Sequence, residues 1–471
     1  MSQSKSLSNS QSGNTLFSSL PLNAALLKNL SDLAFDHMTA IQAAALPAVL
    51  AGDDVIAKAK TGSGKTVAFG LGVLQKLNVK AFRIQALVLC PTRELADQVA
   101  QEMRKLARVI HNIKILTLCG GAPIGPQIGS LEHGAHIVVG TPGRVADHLR
   151  KGHLNLQHVH TLVLDEADRM LDMGFQETLD SIVGHLPQQR QTLLFSATYP
   201  DSISELAQRV QRNPVTIEVA STHANSTIEQ HFYRVNDAQR DHALLIILRC
   251  FGVESSVVFC NTKRETDALA LHLKQAGVTA LALHGDMEQK LRDQTLVCFA
   301  NKSASVLVAT DVAARGLDIS ELDMVVNYHV ARDTEVHLHR IGRTGRAGLR
   351  GLAVSLVGEK ESHKLEALSR ILNQDISTEP LPSAQADEVI AKPRMVTLQI
   401  DGGKKQKIRP GDVVGALTGG GVISGNDVGK IHVFPNCTYV ALNRELANRA
   451  LQKLKNERIK GRAFRVRIVG V

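Results

Sequence analysis

The chain has 471 residues, 44% of them hydrophobic, and a formal net charge of +9. That length and apolar content suit about three globular domains and exclude a low-complexity protein. No apolar run approaches a membrane span, and the six cysteines (90, 119, 250, 260, 298 and 437) form no CxxC pair, which argues against zinc or disulfides and for buried thiols in a reducing, cytoplasmic setting.

The charge sits at one end. Residues from Ala391 onward carry 16 Lys plus Arg against 5 Asp plus Glu, whereas the remainder carries 38 against 40. A compact basic module behind a near-neutral body suggests a polyanion-binding appendage.

Residues 1–16, MSQSKSLSNSQSGNTL, are rich in Ser, Asn and Gln, lack the apolar core of a signal peptide, and are expected to form a mobile tail. DVIAKA then reads as a strand and VAFGLGVLQKL as a helix, joined by the glycine-rich turn AKTGSGKT. That is the setting of a phosphate-binding loop. Thr61, Gly62, Ser63 and Gly64 would close backbone N–H groups around phosphate oxygens, Lys65 would reach the outer phosphates, and Thr66 would ligate Mg²⁺. The first position of this pattern, commonly Gly, is Ala59.

Further short apolar runs end in polar clusters: IQALVLC before PTREL, AHIVVG before TPGR, HTLVLDEAD and QTLLFSAT, with helical periodicity between them as in ADQVAQEMRKLARVI. The expectation is an α/β domain with a parallel sheet and ligands beyond the carboxyl ends of its strands. Asp165 and Glu166 close the strand VLDE; the first can hold Mg²⁺ through water and the second can polarise an attacking water.

After a linker at 219–227 the pattern restarts over 228–378 with SSVVFCNTK, TALALHGD, ASVLVATDVAARG, MVVNYHVA and GLAVSLVG, but without a second phosphate loop. HRIGRTGR places Arg340, Arg343 and Arg346 at steps of three, expected along one side, and Arg343 and Arg346 can act as arginine fingers if the two halves close on a nucleotide. A second linker, 379–393, precedes residues 394–471, which read as βαββαβ, the order of RNA-recognition domains. Such domains stack bases on sheet aromatics, and here Tyr439 is as readily a packing residue as a base platform. Lys404, Lys405, Lys407, Arg409, Lys460, Arg462, Arg465 and Arg467 supply the cations, with Arg465 and Arg467 on one side of the last strand.

The set AKTGSGKT, PTREL, Gly120-Gly121, TPGR, DEAD (Asp165 to Asp168), SAT (Ser196 to Thr198), HGD, TDVAARGLD and HRIGRTGR resembles, in order and spacing, the DEAD-box ATP-dependent RNA helicases over residues 17–375. IDGGKKQKIRPGDVVGALTG resembles the DbpA/YxiN branch of that family. The resemblance implies two RecA-like parallel-sheet lobes (17–218 and 228–378), a C-terminal RRM-like α+β domain, and ATP with Mg²⁺. It implies that Gln42 reads the adenine edge, Phe17 stacks on its ring and Asp318 touches the ribose. Asp165 and Glu166 become metal holder and general base, while Ser196, Thr198 and His339 couple the nucleotide to RNA, although Ser196 and Thr198 could otherwise be a simple cap. Thr92, Arg93, Gly121, Thr141, Arg144, Gly285 and Thr310 would grip the RNA backbone without reading sequence. It further implies a monomer with no membrane association, whose C-terminal domain binds the helix 92 hairpin of 23S rRNA and tethers an unwinding core to pre-50S particles. A rival reading is an ATP-controlled RNA clamp or assembly scaffold with little unwinding. Two segments depart from the family: AFDHMTAIQ has Ala34, Met38 and Ala40 where GFxxPTPIQ is usual, and HVARDTEVHL lacks the usual acidic-x-Pro.

Overall fold

The computed structural model describes residues 15–59, 62–219, 228–252, 254–314, 322–332, 334–345, 350–372, 375–383, 390, 392–421 and 423–470. Thr61, Asp318 and Arg346 lie outside the described residues, as do 1–14 of the expected tail, 220–227 of the first linker and 384–389 of the second. Among the described residues no helix is long and apolar enough to cross a membrane.

The first lobe is a seven-stranded sheet of β1 (Val55–Lys58), β2 (Ala86–Leu89), β3 (Ile115–Leu118), β4 (Ile137–Gly140), β5 (Thr161–Asp165), β6 (Gln191–Ser196) and β7 (Val215–Glu218). The order is β3-β4-β2-β5-β6-β1-β7, with every pairing parallel. Side chains alternate between two cores: Val55, Ala57, Ala86 and Val88 face one, Ile56, Leu87 and Leu89 the other. β3 and β7 do not stand out in the sequence. They are the edge strands, half-buried and therefore without a continuous apolar run. Because the strands are parallel, the phosphate loop leaves β1 at the same edge at which β5 ends in Asp165 and β6 in Ser196, with Lys58 level with Ser196 and Asp165 level with Phe195.

The unusual AFDHMTAIQ segment has a physical account. Helix Ala24–Asp32 is closed by Ala34 in the left-handed region at φ 58°, its N–H donating to Ser31 O and that of Phe35 to Leu30 O. This conformation favours glycine, so the family's usual residue fits without strain and Ala34 does not. At Met38 the N–H donates to Thr15 O at 2.6 Å, a bond proline lacks. Ala40 opens helix Ala40–Ala51 behind Thr39, where proline is tolerated and not required.

The second lobe is a parallel sheet of β8 (Ile228–Arg234), β9 (Ser256–Cys260), β10 (Ala280–Leu283), β11 (Val306–Thr310), β12 (Met324–Asn327) and β13 (Gly351–Val357), ordered β10-β11-β9-β12-β13-β8. β8 was hidden in the sequence because its EQH stretch is polar. The C-terminal domain is an antiparallel sheet of β14 (Met395–Ile400), β15 (Val428–Val433), β16 (Thr438–Asn443) and β17 (Val466–Ile468), ordered β15-β16-β14-β17. Helices Pro410–Thr418 and Ala447–Asn456 cover one face through Val413, Leu417, Ala450 and Leu454, against Leu398, Ile400, Val440 and Leu442.

The other face of that sheet is covered by the second lobe. Asn301 Nδ2 donates to Thr397 Oγ1 at 3.1 Å, and Ser303 Oγ lies 2.7 Å from the same oxygen. Val297 and Cys298 of helix Gln289–Ala300 bury Tyr439 and Val469, with Leu281, Phe434 and Cys437 around them. Thr397 is 0% exposed as a result.

Candidate active site and RNA interface

The phosphate loop turns through Gly62 and Gly64 at φ +84° and +95°, and Gly64 caps helix Lys65–Gln75. A side chain at Gly64 would place Cβ 2.4 Å from Gln42 Nε2. Gln42 is engaged with the loop: Nε2 donates to Gly64 O at 3.0 Å and Oε1 accepts from the Thr39 N–H at 2.8 Å, while Thr39 Oγ1 donates to Ser63 O at 2.7 Å. Phe17 is buried against the same lobe's core. Thr66 lies half-buried in the first turn of the helix.

Lys65 Nζ stands 3.9 Å from Asp165 Oδ1, and both side chains are nearly enclosed. Lys65 Nζ, Asp165 Oδ1, Ser63 Oγ and Ser196 Oγ are buried with no hydrogen-bond partner among the described residues. Buried polar atoms are ordinarily paired, so an ammonium, a carboxylate and two hydroxyls left over at one strand edge fit a phosphate with its divalent cation. Burial pushes the Asp165 carboxyl up to about 6, opposed by Lys65 and reinforced by Glu166. A bound cation would remove that penalty.

The other acidic residues of DEAD are already committed. Asp168 Oδ2 accepts from the N–H groups of Ala197 and Thr198 at 3.2 and 3.0 Å and from Thr198 Oγ1 at 2.9 Å. Burial alone would raise Asp168, but the Thr198 hydroxyl, Arg169 and Lys65 outweigh it and hold the carboxyl low. Glu166 sits in the left-handed region at φ 54°, ψ 51°, and its Oε2 accepts from Arg169 Nη1 at 2.5 Å. Nothing in the sequence distinguished Arg169 as part of this site.

At the β2, β3 and β4 end of the same edge, Arg93 lies over the Gly120-Gly121 turn. A Cβ on Gly121, whose φ is +69°, would fall 1.6 Å from Arg93 Nη1. Arg144 braces the turn from the other side, donating to Ala122 O and Gln127 Oε1, both at 3.0 Å. Thr92 caps helix Arg93–Leu106 and Thr141 precedes helix Pro142–Arg150. In the second lobe Gly285 follows β10 and Thr310 ends the neighbouring β11.

His339, Arg340 and Arg343 line a small recess with Phe259, Asp311 and Ala314. Of the three arginines expected along one side, Arg340 and Arg343 share this recess, and Arg346 lies outside the described residues. Arg340 turns inward, forked onto Asp311 at 2.7 and 2.8 Å, bonded to Asn327 Oδ1 and His329 O, and stacked 5.2 Å from the Phe259 ring centroid. Burial forces a guanidinium to satisfy its donors within the protein, so Arg340 is a tie and not a finger.

Tyr439 is corrected as a base platform. Its ring is 1% exposed, edge-on to Phe434, under Val297 and Cys298, because the sheet face that would carry RNA is the docked face. The cations remain outside: Lys404, Lys405, Lys407, Arg409, Lys460, Arg462, Arg465 and Arg467 are all exposed. Lys460 Nζ donates to Lys407 O at 2.8 Å and pairs with Asp412 at 3.1 Å, so two loops distant in sequence form one basic surface. Arg467 donates to Gln399 Oε1.

Three family profiles tile the chain: DEAD/DEAH box helicase over 39–206, helicase conserved C-terminal domain over 239–348, and DbpA RNA binding domain over 397–468. The chain is 53% identical to the ATP-dependent RNA helicase DbpA of Escherichia coli, over 97% of its own length and 100% of that protein. The chain belongs to the DEAD-box ATP-dependent RNA helicases. This helicase is also 43% identical to the CshA helicase of Geobacillus kaustophilus, over 76% of each chain. Among solved structures it is similar to S. cerevisiae Dbp5 bound to RNA and ADP BeF3, at 33% identity and TM-score 0.70, covering 78% of this chain and 96% of that one. Mss116p bound to single-stranded RNA and AMP-PNP matches at 28% identity and TM-score 0.71, covering 80% and 81%. The helicase is therefore an ATP-hydrolysing enzyme with an RNA partner.

Proposed function

We propose that this helicase is held by residues 394–471 on the helix 92 hairpin of 23S rRNA and separates neighbouring short duplexes in pre-50S particles in the cytoplasm. The observation that carries the reading is the DbpA-type domain behind a helicase core, in a chain aligned end to end with the E. coli DbpA protein. The exposed Lys404–Arg409 and Lys460–Arg467 cations supply a surface for a structured polyanion. Tethering raises the local concentration of substrate for a core whose own grip ignores sequence.

In this reading Thr66, and Asp165 through water, would hold Mg²⁺, which would supply neutralisation of charge on the outer phosphates. Lys65 and the N–H groups around Gly62 and Gly64 orient the phosphates, Glu166 polarises the attacking water, and Arg343 with Arg346 stabilises the departing charge. Gln42, Phe17 and Asp318 address the nucleoside; for Gln42 the bonds to Gly64 O and from the Thr39 N–H leave a second amide N–H and a second oxygen lone pair for the base.

The test is ATP hydrolysis stimulated by a 23S fragment carrying helix 92, the same fragment with the hairpin loop altered, total ribosomal RNA and poly(A). Strong stimulation restricted to RNA carrying the intact hairpin is expected. Equal stimulation by all four would reduce the C-terminal domain to a general anchor, and ATP-dependent binding without strand separation would favour the clamp.

A further inference from the structure

We propose that Arg169 is a positioning residue that transmits the placement of the Ser196–Thr198 turn to Glu166; the proposal rests on the reading of Glu166 as the base. Helix Ala167–Asp172 follows Glu166 as its N-cap, and its first turn carries two consecutive side chains to different partners. Asp168 reaches the Ser196–Thr198 turn through three bonds to a single carboxylate oxygen. Arg169 reaches back to Glu166.

The two are consecutive on one rigid turn, and Asp168 Oδ1 also accepts from the Arg169 N–H at 3.0 Å. A displacement of Thr198 therefore carries Asp168 and Arg169 together. Glu166 and Arg169 side chains are each 3% exposed, so neither can exchange the other for bulk water. A buried ion pair adds little net stability compared with apolar packing, which makes its presence beside a residue in a strained conformation a matter of orientation. The direction of the Glu166 carboxylate then follows the turn, and a turn set by RNA sets the base.

The experiment is steady-state ATP hydrolysis by full-length protein with and without total ribosomal RNA. Arg169→Met is expected to lower the RNA-stimulated kcat roughly ten- to a hundredfold, toward the rate without RNA. The KM for ATP and the RNA affinity should stay within about twofold, because neither ligand is bound through Arg169. Arg169→Lys, which keeps one donor and the charge, should recover part of the loss. Combining Arg169→Met with Thr198→Val should cost no more than the worse single change, since both cut one path. Multiplying losses, or a fall in kcat and RNA affinity with a rise in KM and a lower unfolding temperature, would overturn the relay and leave a structural ion pair. If Arg169→Met does not fold, Arg169→Lys and Arg169→Gln carry the same comparison. Glu166→Gln is run in parallel. Normal turnover there removes the base assignment itself, whereas an inactive Glu166→Gln beside an unimpaired Arg169→Met removes only the relay.

Discussion

Ala34 shows how one methyl group is registered by the fold. Its φ of 58° places Cβ against the following carbonyl, at a cost of about 1 kcal/mol for a residue other than glycine. The side chain is exposed, so it returns no packing. Ala34→Gly is expected to stabilise the first lobe by up to about 1 kcal/mol, less the entropy glycine adds to the unfolded chain. The urea midpoint should rise; a fall would show that the methyl contributes contacts that outweigh the strain.

Helix Thr334–Ile341 carries His339, Arg340 and, just beyond it, Arg343, and its seating against β8 depends on His337. That imidazole stacks on Phe232 and has Nε2 3.2 Å from Gln230 Oε1; burial, reinforced by Arg340, pushes its pKa down to about 4. The folded helix therefore holds a neutral histidine, while the unfolded chain takes up a proton below about 6.5. Stability is full above that value and is lost as pH falls toward 4, by about 2 kcal/mol at pH 5. His337→Gln should flatten the dependence of the unfolding midpoint on pH between 7 and 5. An unchanged slope would mean that the acid sensitivity arises elsewhere.

The second lobe and the C-terminal domain form a single docked unit, in which Thr397 is the shared partner of Asn301 and Ser303. Thr397→Val leaves those groups short of a buried partner, at about 1–3 kcal/mol, and should loosen the dock. Cys298 reports on it, because it is buried in the contact, with burial raising its thiol to about 11. Alkylation of Cys298 should accelerate in the variant while that of Cys260, deep in the lobe's own core, stays slow. Equal rates in variant and parent would show that the apolar contacts alone hold the domains together.

Contiguous residues determined a great deal of this protein. The apolar runs from DVIAKA to QTLLFSAT, the glycine-rich turn and the βαββαβ order of the basic module are local patterns, because strand period, turn geometry and phosphate-loop spacing are properties of neighbouring residues. Edge strands β3, β7 and β8 escaped that reading, since a half-buried strand need not be apolar throughout. Tertiary structure alone decided which polar groups meet. Arg340 turns in to Asp311, 29 residues away, and Thr397 to Asn301, 96 residues away. It also decided that Tyr439 lies under the second lobe and the lysines do not. The sequence supplies donors, acceptors and apolar area, but desolvation, which penalises a buried group without a partner and lets an exposed one turn to water, acts only once the chain has folded.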